Sequence, residues 1–240
     1  MNSIVIIILG IIIIVLLVIL YMYYNSFITP LIKYANLNLD NPPVVYTNIT
    51  NPLSTRFAYS VWIYINSWVS PKTKSNTQYN IFYRDNEVGL ALDNTRPILY
   101  CNFNNNKGAP SSNPDHNIIV SNNFPIQTWT NIIINVDNNY LDIYLNGQLI
   151  SSVVLKTQYS KKEATNYATD NIYIGGTVTI PDTTSDIYLA NLQRWGQAIN
   201  PQTAYYNYLN GLRYLPNDST AFKLNLSLLK DNNLVQTLNL

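Results

Sequence analysis

Among side chains that can do chemistry, this sequence is sparing. Glu87 and Glu163 are its only glutamates, His116 its only histidine and Cys101 its only cysteine. Glycoside hydrolysis would require two carboxyl groups about 5 to 9.5 Å apart across the scissile bond. The two glutamates lie in separate segments, no Glu-x-Asp-x-x-Glu strand is present, and Asp85 and Glu87 are expected in a turn between two short strands. One histidine in an Asn/Pro-rich loop leaves no base for a Ser-His-Asp or Cys-His set, and one His with one Cys cannot build a tetrahedral zinc site. No glycine-rich phosphate cradle occurs. Hard oxygen ligands are the exception: Asp182 and Asp186 flank one loop, and with Asp170 or a loop carbonyl they could hold calcium. Trp68, Tyr79, Tyr159 and Tyr167 are the aromatics expected near loops, where a ring face could meet a sugar. With 20 tyrosines in the chain, some exposed rings are expected without any function.

The elements that must position these residues are strands. Trp129 to Val154 reads as three in succession, with Ile132, Ile134 and Val136 on one face and Leu141, Ile143 and Leu145 on the next. Asn138-Asn139 and Asn146-Gly147 are two-residue turns of the type I′ kind, which needs positive φ. Register is thereby set locally, because a one-residue slip would turn three large aliphatic side chains to water at about 1.5 to 3 kcal/mol each. Phe57 to Ile65 is apolar on both faces, as a central strand should be. Further strands are expected at Val44 to Thr47, Tyr79 to Arg84, Val88 to Leu92, Ile98 to Phe103, Ile118 to Val120, Asn171 to Gly175, Asp186 to Trp195 and Phe222 to Leu228. Asn200-Pro201 is a helix N-cap followed by Pro at the first position, and Tyr205, Tyr208, Leu209 and Leu212 share the face of the helix it opens.

Ile4 to Tyr24 is apolar and uncharged over the roughly 20 residues that cross a hydrocarbon core, and it predicts a transmembrane helix. A cleaved signal peptide is disfavoured: residues 1–3 lack a basic group, the run is long, and no small-residue cleavage site follows. Lys33 is the only basic residue near the helix, so topology stays open. The chain divides into a tail at 1–3, the anchor at 4–24, a Pro/Asn-rich stem at 25–54, a sandwich at 55–215 and an extension at 216–240. A net charge of +1 offers no nucleic-acid footprint. The lone cysteine excludes an internal disulfide. Heavy use of Asn, Ile and Tyr is what AT-rich codons produce, as in a large DNA virus or a protist. The sequons at Asn48, Asn217 and Asn225 are at the frequency this composition scatters by chance.

The order of Phe57-Ala-Tyr-Ser-Val-Trp62, Trp129 leading into Ile133-Ile-Asn-Val-Asp137, Leu141-Asp-Ile-Tyr-Leu-Asn-Gly147, Ile172-Tyr-Ile-Gly175 and the helix opened by Ala198-Ile-Asn-Pro201 resembles the laminin-G-like members of the concanavalin A-like lectin/glucanase superfamily, over Phe57 to Leu212. The resemblance implies an all-β, two-sheet antiparallel jelly roll with one short C-terminal helix. Where the family carries a Gly and an Ile-Asp pair, this chain has Leu189-Ala190-Asn191. The expected function is non-catalytic, lectin-like recognition of carbohydrate or protein by a single-pass membrane protein of a host or virion membrane, with glycans or capsid and membrane proteins as partners and no cofactor unless calcium. A glycoside hydrolase and a pure scaffold are the alternatives.

Overall fold

A computed structural model describes residues 3–25, 30–67, 78–85, 87–93, 95–103, 117–155, 170–175, 186–212, 225–230 and 233–239. Two antiparallel sheets share one core. Strands β1 (Ile32–Asn36), β2 (Arg56–Ser67), β7 (Thr130–Asp137), β8 (Tyr140–Leu145), β9 (Gln148–Val154) and β11 (Asp186–Trp195) form a six-stranded sheet in the order β1-β11-β2-β7-β8-β9. Strands β3 (Tyr79–Arg84), β4 (Val88–Leu92), β5 (Leu99–Phe103), β6 (Asn117–Ser121) and β10 (Ile172–Ile174) form the other, in the order β10-β3-β4-β5-β6. The odd-numbered side chains of β2 from Phe57 to Ile65 enter a core completed by Ile132, Ile134, Leu141 and Ile143 on one side and Phe82, Leu90, Leu99 and Cys101 on the other. The Ile132↔Leu145, Ile134↔Ile143 and Val136↔Leu141 register is the one period two requires.

Turn chemistry explains the joints. Asn146 (φ 49°) and Gly147 (φ 76°) both take the left-handed region, as the turn demands. In the first turn only Asn138 does so (φ 55°), which departs from the type I′ expectation for that pair. The family-pattern departure at β11 also has a physical answer. Asn191 sits at φ 52° inside a β-bulge between Ala190 and Gln193, a conformation that Asn tolerates nearly as Gly does.

Residues 30–54, expected as an extended stem, are packed onto the sandwich. Ile32–Asn36 forms the edge strand, and Ala35, Leu37, Val44 and Ile49 are buried in the core. Val44 makes a single bridge to Ile172 and not the expected strand, because the chain tightens into a 3-10 turn at Tyr46–Asn48. Near the C-terminus, the strand expected at 222–228 corresponds over its described residues to β12 (Asn225–Lys230), which pairs with β13 (Asn233–Asn239) in a two-stranded sheet.

Helix α2 (Pro201–Leu209) lies on the outer face of the six-stranded sheet. Its cap is as expected, with Asn200 Oδ1 accepting from Thr203 N at 2.8 Å. Its docking face is Ala204 with Tyr208, one turn apart. Ala204 is buried with Ile133 and Tyr144, and the Tyr208 ring stacks on Trp62 at 5.8 Å. Tyr205 and Leu209, expected on that face, are exposed instead. A Cβ on Gly147 would lie 3.0 Å from Tyr208 Cβ, so the hairpin turn and the helix close on each other.

Helix α1 (Ser3–Asn25) forms over the predicted N-terminal run. Among the described residues, no helix is long and apolar enough to cross a membrane; the side chains described in α1 are those of residues 9–21.

Candidate functional site

Even-numbered residues of β2 face away from the core, and beyond the footprint of α2 that face turns aromatic. Tyr64 is registered opposite Tyr188 of β11, with ring centroids 6.3 Å apart. On one side Tyr188 stacks with Tyr34 of β1 at 5.8 Å and 25°. On the other, Tyr64 meets Trp129, the residue before β7, at 5.3 Å and 38°. The four half-buried rings therefore form one continuous strip across three strand spacings, about 15 Å. Burial, and then the neighbouring Tyr188 hydroxyl, raise the Tyr34 pKa above that of a free phenol. Aromatic faces in such a row offer an apolar surface that C–H-rich ligands can stack on while their polar edges stay wet.

Along the end of this strip runs a polar rim. Asp186 begins β11, two residues before Tyr188, and Asn66 follows Tyr64 by two. Asn38 Nδ2 donates to Asp186 Oδ1 at 3.2 Å, and Asn66 Nδ2 donates to Asp186 Oδ2 at 3.4 Å. Tyr79 OH donates to Leu37 O at 2.9 Å and lies 3.5 Å from Asn38 Oδ1. Gln127 closes the rim in a left-handed conformation (φ 57°), its N–H donating to Ile65 O at 2.7 Å and its amide reaching Asn66 O at 3.5 Å. A positive φ is uncommon for a residue that is neither Gly nor Asn, and such backbone persists only where its surroundings over-determine it.

Among the described residues, a second concentration of charge lies inside the sandwich. Glu87 is fully buried; it is bridged by Arg84, accepts from Tyr59 OH at 2.8 Å and faces Arg194 Nε at 3.5 Å. Arg84 also donates to Asp170 at 2.8 Å. Arg194 continues to Thr50 O at 2.6 Å and lies over the Phe57 and Tyr59 rings. Burial, and then the Glu87 charge, push the Tyr59 phenol far above its usual pKa. Two arginines balance two carboxylates here, as a dry interior requires. Glu87 follows the turn between β3 and β4, as expected, but out of reach of any substrate.

The residues proposed from sequence separate accordingly. Asp186 and Tyr79 meet at the rim through Asn38. Asp170 belongs to the buried cluster, where Arg84 occupies its carboxylate. Tyr79 is half-buried, with its ring packed against the core and its hydroxyl donating to Leu37 O. Trp68, Tyr159, Tyr167 and Asp182 lie outside the described residues, as do His116 and Glu163. Among the described residues no three His, Cys, Asp or Glu side chains converge as metal ligands. Cys101 is buried in the core, and burial pushes its thiol pKa up, away from reactivity. The strip of Tyr34, Tyr64, Trp129 and Tyr188 was missed; its one signal was a mixed outer face on β2, where Ala58, Ser60, Trp62 and Tyr64 contrast with the large apolar odd-numbered positions.

A laminin-G family model, that of the concanavalin A-like lectin/glucanases superfamily, matches residues 40–204. The chain belongs to this superfamily. No curated protein matches the chain. Solved structures similar to it include the binding domain of botulinum neurotoxin DC in complex with rat synaptotagmin II, at 17% identity over 71% of this chain and 38% of that one, with a TM-score of 0.48. The botulinum neurotoxin serotype G binding domain aligns at 15% identity over 65% of this chain and 37% of that one, with a TM-score of 0.46. The chain thus spans under two fifths of the length of these structures, and at that identity and score the likeness says nothing of ligand. Superfamily membership accounts for the two-sheet antiparallel sandwich and for the short helix that follows its last strand.

Proposed function

We propose that this protein is a non-catalytic recognition module that binds carbohydrate on the outer face of its six-stranded sheet and is held at a membrane by α1. The observation that carries the binding reading is the strip of Tyr34, Tyr188, Tyr64 and Trp129 bordered by Asp186, Asn38 and Asn66. Sugar rings present C–H faces to aromatic planes and hydroxyl edges to carboxylate and amide groups, so one surface serves both. Membrane anchoring is supported by the 23 residues of α1, none of them charged, and by the exposure of every described Leu, Ile and Val side chain in it, which water would penalise and lipid would not. A virion envelope is one membrane on which such a module would serve attachment. Calcium at Asp186 would add to recognition without changing its class.

The test is glycan binding by the full chain in detergent, with and without calcium, compared with Tyr64→Ala and Trp129→Ala. Each ring removed should weaken binding about fivefold, on the order of 1 kcal/mol. Unchanged binding by both variants would move the site elsewhere. For the anchor, protease protection of a C-terminally tagged chain in sealed microsomes tests both insertion and topology, and extraction by carbonate would refute the span.

One observation favours a scaffold in place of a lectin. Strand β9, an edge among the described residues, exposes Leu149, Ile150 and Val154, which a partner protein could cover. In that case charged substitutions on β9, and not on the aromatic strip, would abolish partner capture. The hydrolase reading has Glu87 against it, since a carboxylate enclosed by Arg84, Arg194 and Tyr59 cannot protonate a leaving group.

A further inference from the structure

Asp186 is placed unlike the other buried or paired carboxylates of the sandwich. Asp137 is paired with Arg56, and Glu87 and Asp170 with arginines inside the core. Among the described residues, the partners of Asp186 are neutral: the Asn38 and Asn66 amides and the Ser67 hydroxyl at its own N–H. Its two oxygens each accept one amide bond, at 3.2 and 3.4 Å, which leaves an acceptor site on each. An ionised carboxylate accepts and cannot donate, so what it adds to the end of an aromatic strip is a pair of acceptors for a pair of hydroxyl donors. Charge-assisted O–H···O bonds of this kind are roughly twice as strong as neutral ones.

Resting on the carbohydrate reading above, we infer that the rim is a specificity determinant: Asp186 accepts two adjacent ring hydroxyls of a neutral sugar and rejects glycans bearing sialic acid, uronic acid or sulfate. A ligand anion stacked on Tyr188 or Tyr64 would stand on the order of 5 Å from Asp186, with no cation paired to that carboxylate among the described residues to offset it. Coulomb repulsion at that range penalises the anion about fourfold if screened as in water and more than a hundredfold at the lower effective dielectric of a protein surface. A value near tenfold is expected for a half-exposed rim. Asn38 and Asn66 act as positioning residues, fixing the carboxylate plane from both sides.

The test is an array of matched neutral and anionic glycans, for example lactosyl and sialyllactosyl albumin conjugates among them, probed with the full chain in detergent and in chelator so that no divalent cation masks the carboxylate. Wild type should prefer the neutral member of each pair about tenfold, with the ratio shrinking as salt rises from 0.01 to 0.15 M. Asp186→Asn should lower neutral binding and bring the ratio close to one. Asn38→Lys, which brings a cation to the same carboxylate, should also narrow it, and it keeps the question open to decision if Asp186→Asn unfolds. Equal or stronger binding of the anionic members by wild type, or a ratio unmoved in both variants, overturns the inference while leaving carbohydrate binding intact. Binding to no glycan on the array, either in chelator or with calcium restored, overturns both.

Discussion

Replacing Glu87 by Gln tests whether the buried charge cluster is a structural clasp, as its geometry argues. The carboxylate is fully buried, takes the Tyr59 hydroxyl at 2.8 Å, is bridged by Arg84 and faces Arg194 at 3.5 Å. Gln preserves shape but removes the charge that faces two buried guanidiniums, and its amide N–H must point at either an arginine or the tyrosine donor. Breaking a buried pair in this way costs about 3 to 5 kcal/mol, a large part of the 5 to 15 kcal/mol typical of a whole domain. For a sandwich of this size the midpoint should fall by roughly 6 to 20 °C. Thermal unfolding of the full chain in detergent, followed through its four tryptophans, reads this directly. The internal control is Arg56→Ala, which removes an ion pair whose side chains are 55% and 40% exposed. An exposed pair of that kind contributes about 0 to 1 kcal/mol. If Glu87→Gln costs no more than Arg56→Ala, the cluster is not the clasp described. If it lowers a measurable polysaccharide hydrolysis without lowering stability, the non-catalytic assignment fails instead.

Three further outcomes are expected. Burial pushes the Tyr79 phenol up to about 12 from an ordinary 10.0; a raised pKa gives stability that is complete below pH 10 and lost as pH rises toward 12, so Tyr79→Phe should flatten the urea midpoint's decline over that window. Asn191→Ala should cost about 1 to 2 kcal/mol more than Asn191→Gly in urea unfolding, because both lose the bond from Gln193 Nε2 but only alanine must hold the left-handed bulge against its Cβ. Asn200→Ala removes the acceptor for Thr203 N and Oγ1 and should cost about 1 kcal/mol, with the tryptophan emission changing as α2 loosens from Trp62.

Local chemistry made much of the sandwich readable. Period-two alternation located β2, β3, β4 and the β7-β8-β9 meander, and Asn146-Gly147 and Asn200-Pro201 marked their turn and cap, because each depends on neighbours a few residues apart. The aromatic strip depends on register between distant strands. Tyr34, Tyr64, Trp129 and Tyr188 carry no common motif, and on β2 the pair Trp62 and Tyr64 looked like the second buried face of a central strand. One of them is covered by α2 and the other is not, a distinction set by where Tyr208 lands. The buried cluster was equally hidden, since Arg84 and Asp170 are far apart in sequence and Arg194 looks like any strand-end arginine until Tyr59 and Glu87 are seen beneath it. Edge strand β1 was read as part of the stem because prolines on either side argued for extension without saying what the extended chain would pair with.

That edge strand also sets how the molecule bears mechanical load. If α1 is held in a bilayer as proposed, tension reaching the sandwich would be borne at Leu31, whose N–H donates to Leu192 O, and at the Ile32↔Leu192 to Asn36↔Tyr188 ladder behind it. Tension from a ligand bound as proposed on the aromatic strip would enter through Tyr188 and Tyr64. The two meet at the β1-β11 seam. Hydrogen bonds in an antiparallel ladder lie across the strands, so a pull along β1 strains all of them together in shear instead of opening them one at a time. The stacked rings of Tyr34 and Tyr188 cross the same seam as a rivet. Under sustained pulling, the lifetime of attachment becomes the unfolding rate of one short strand.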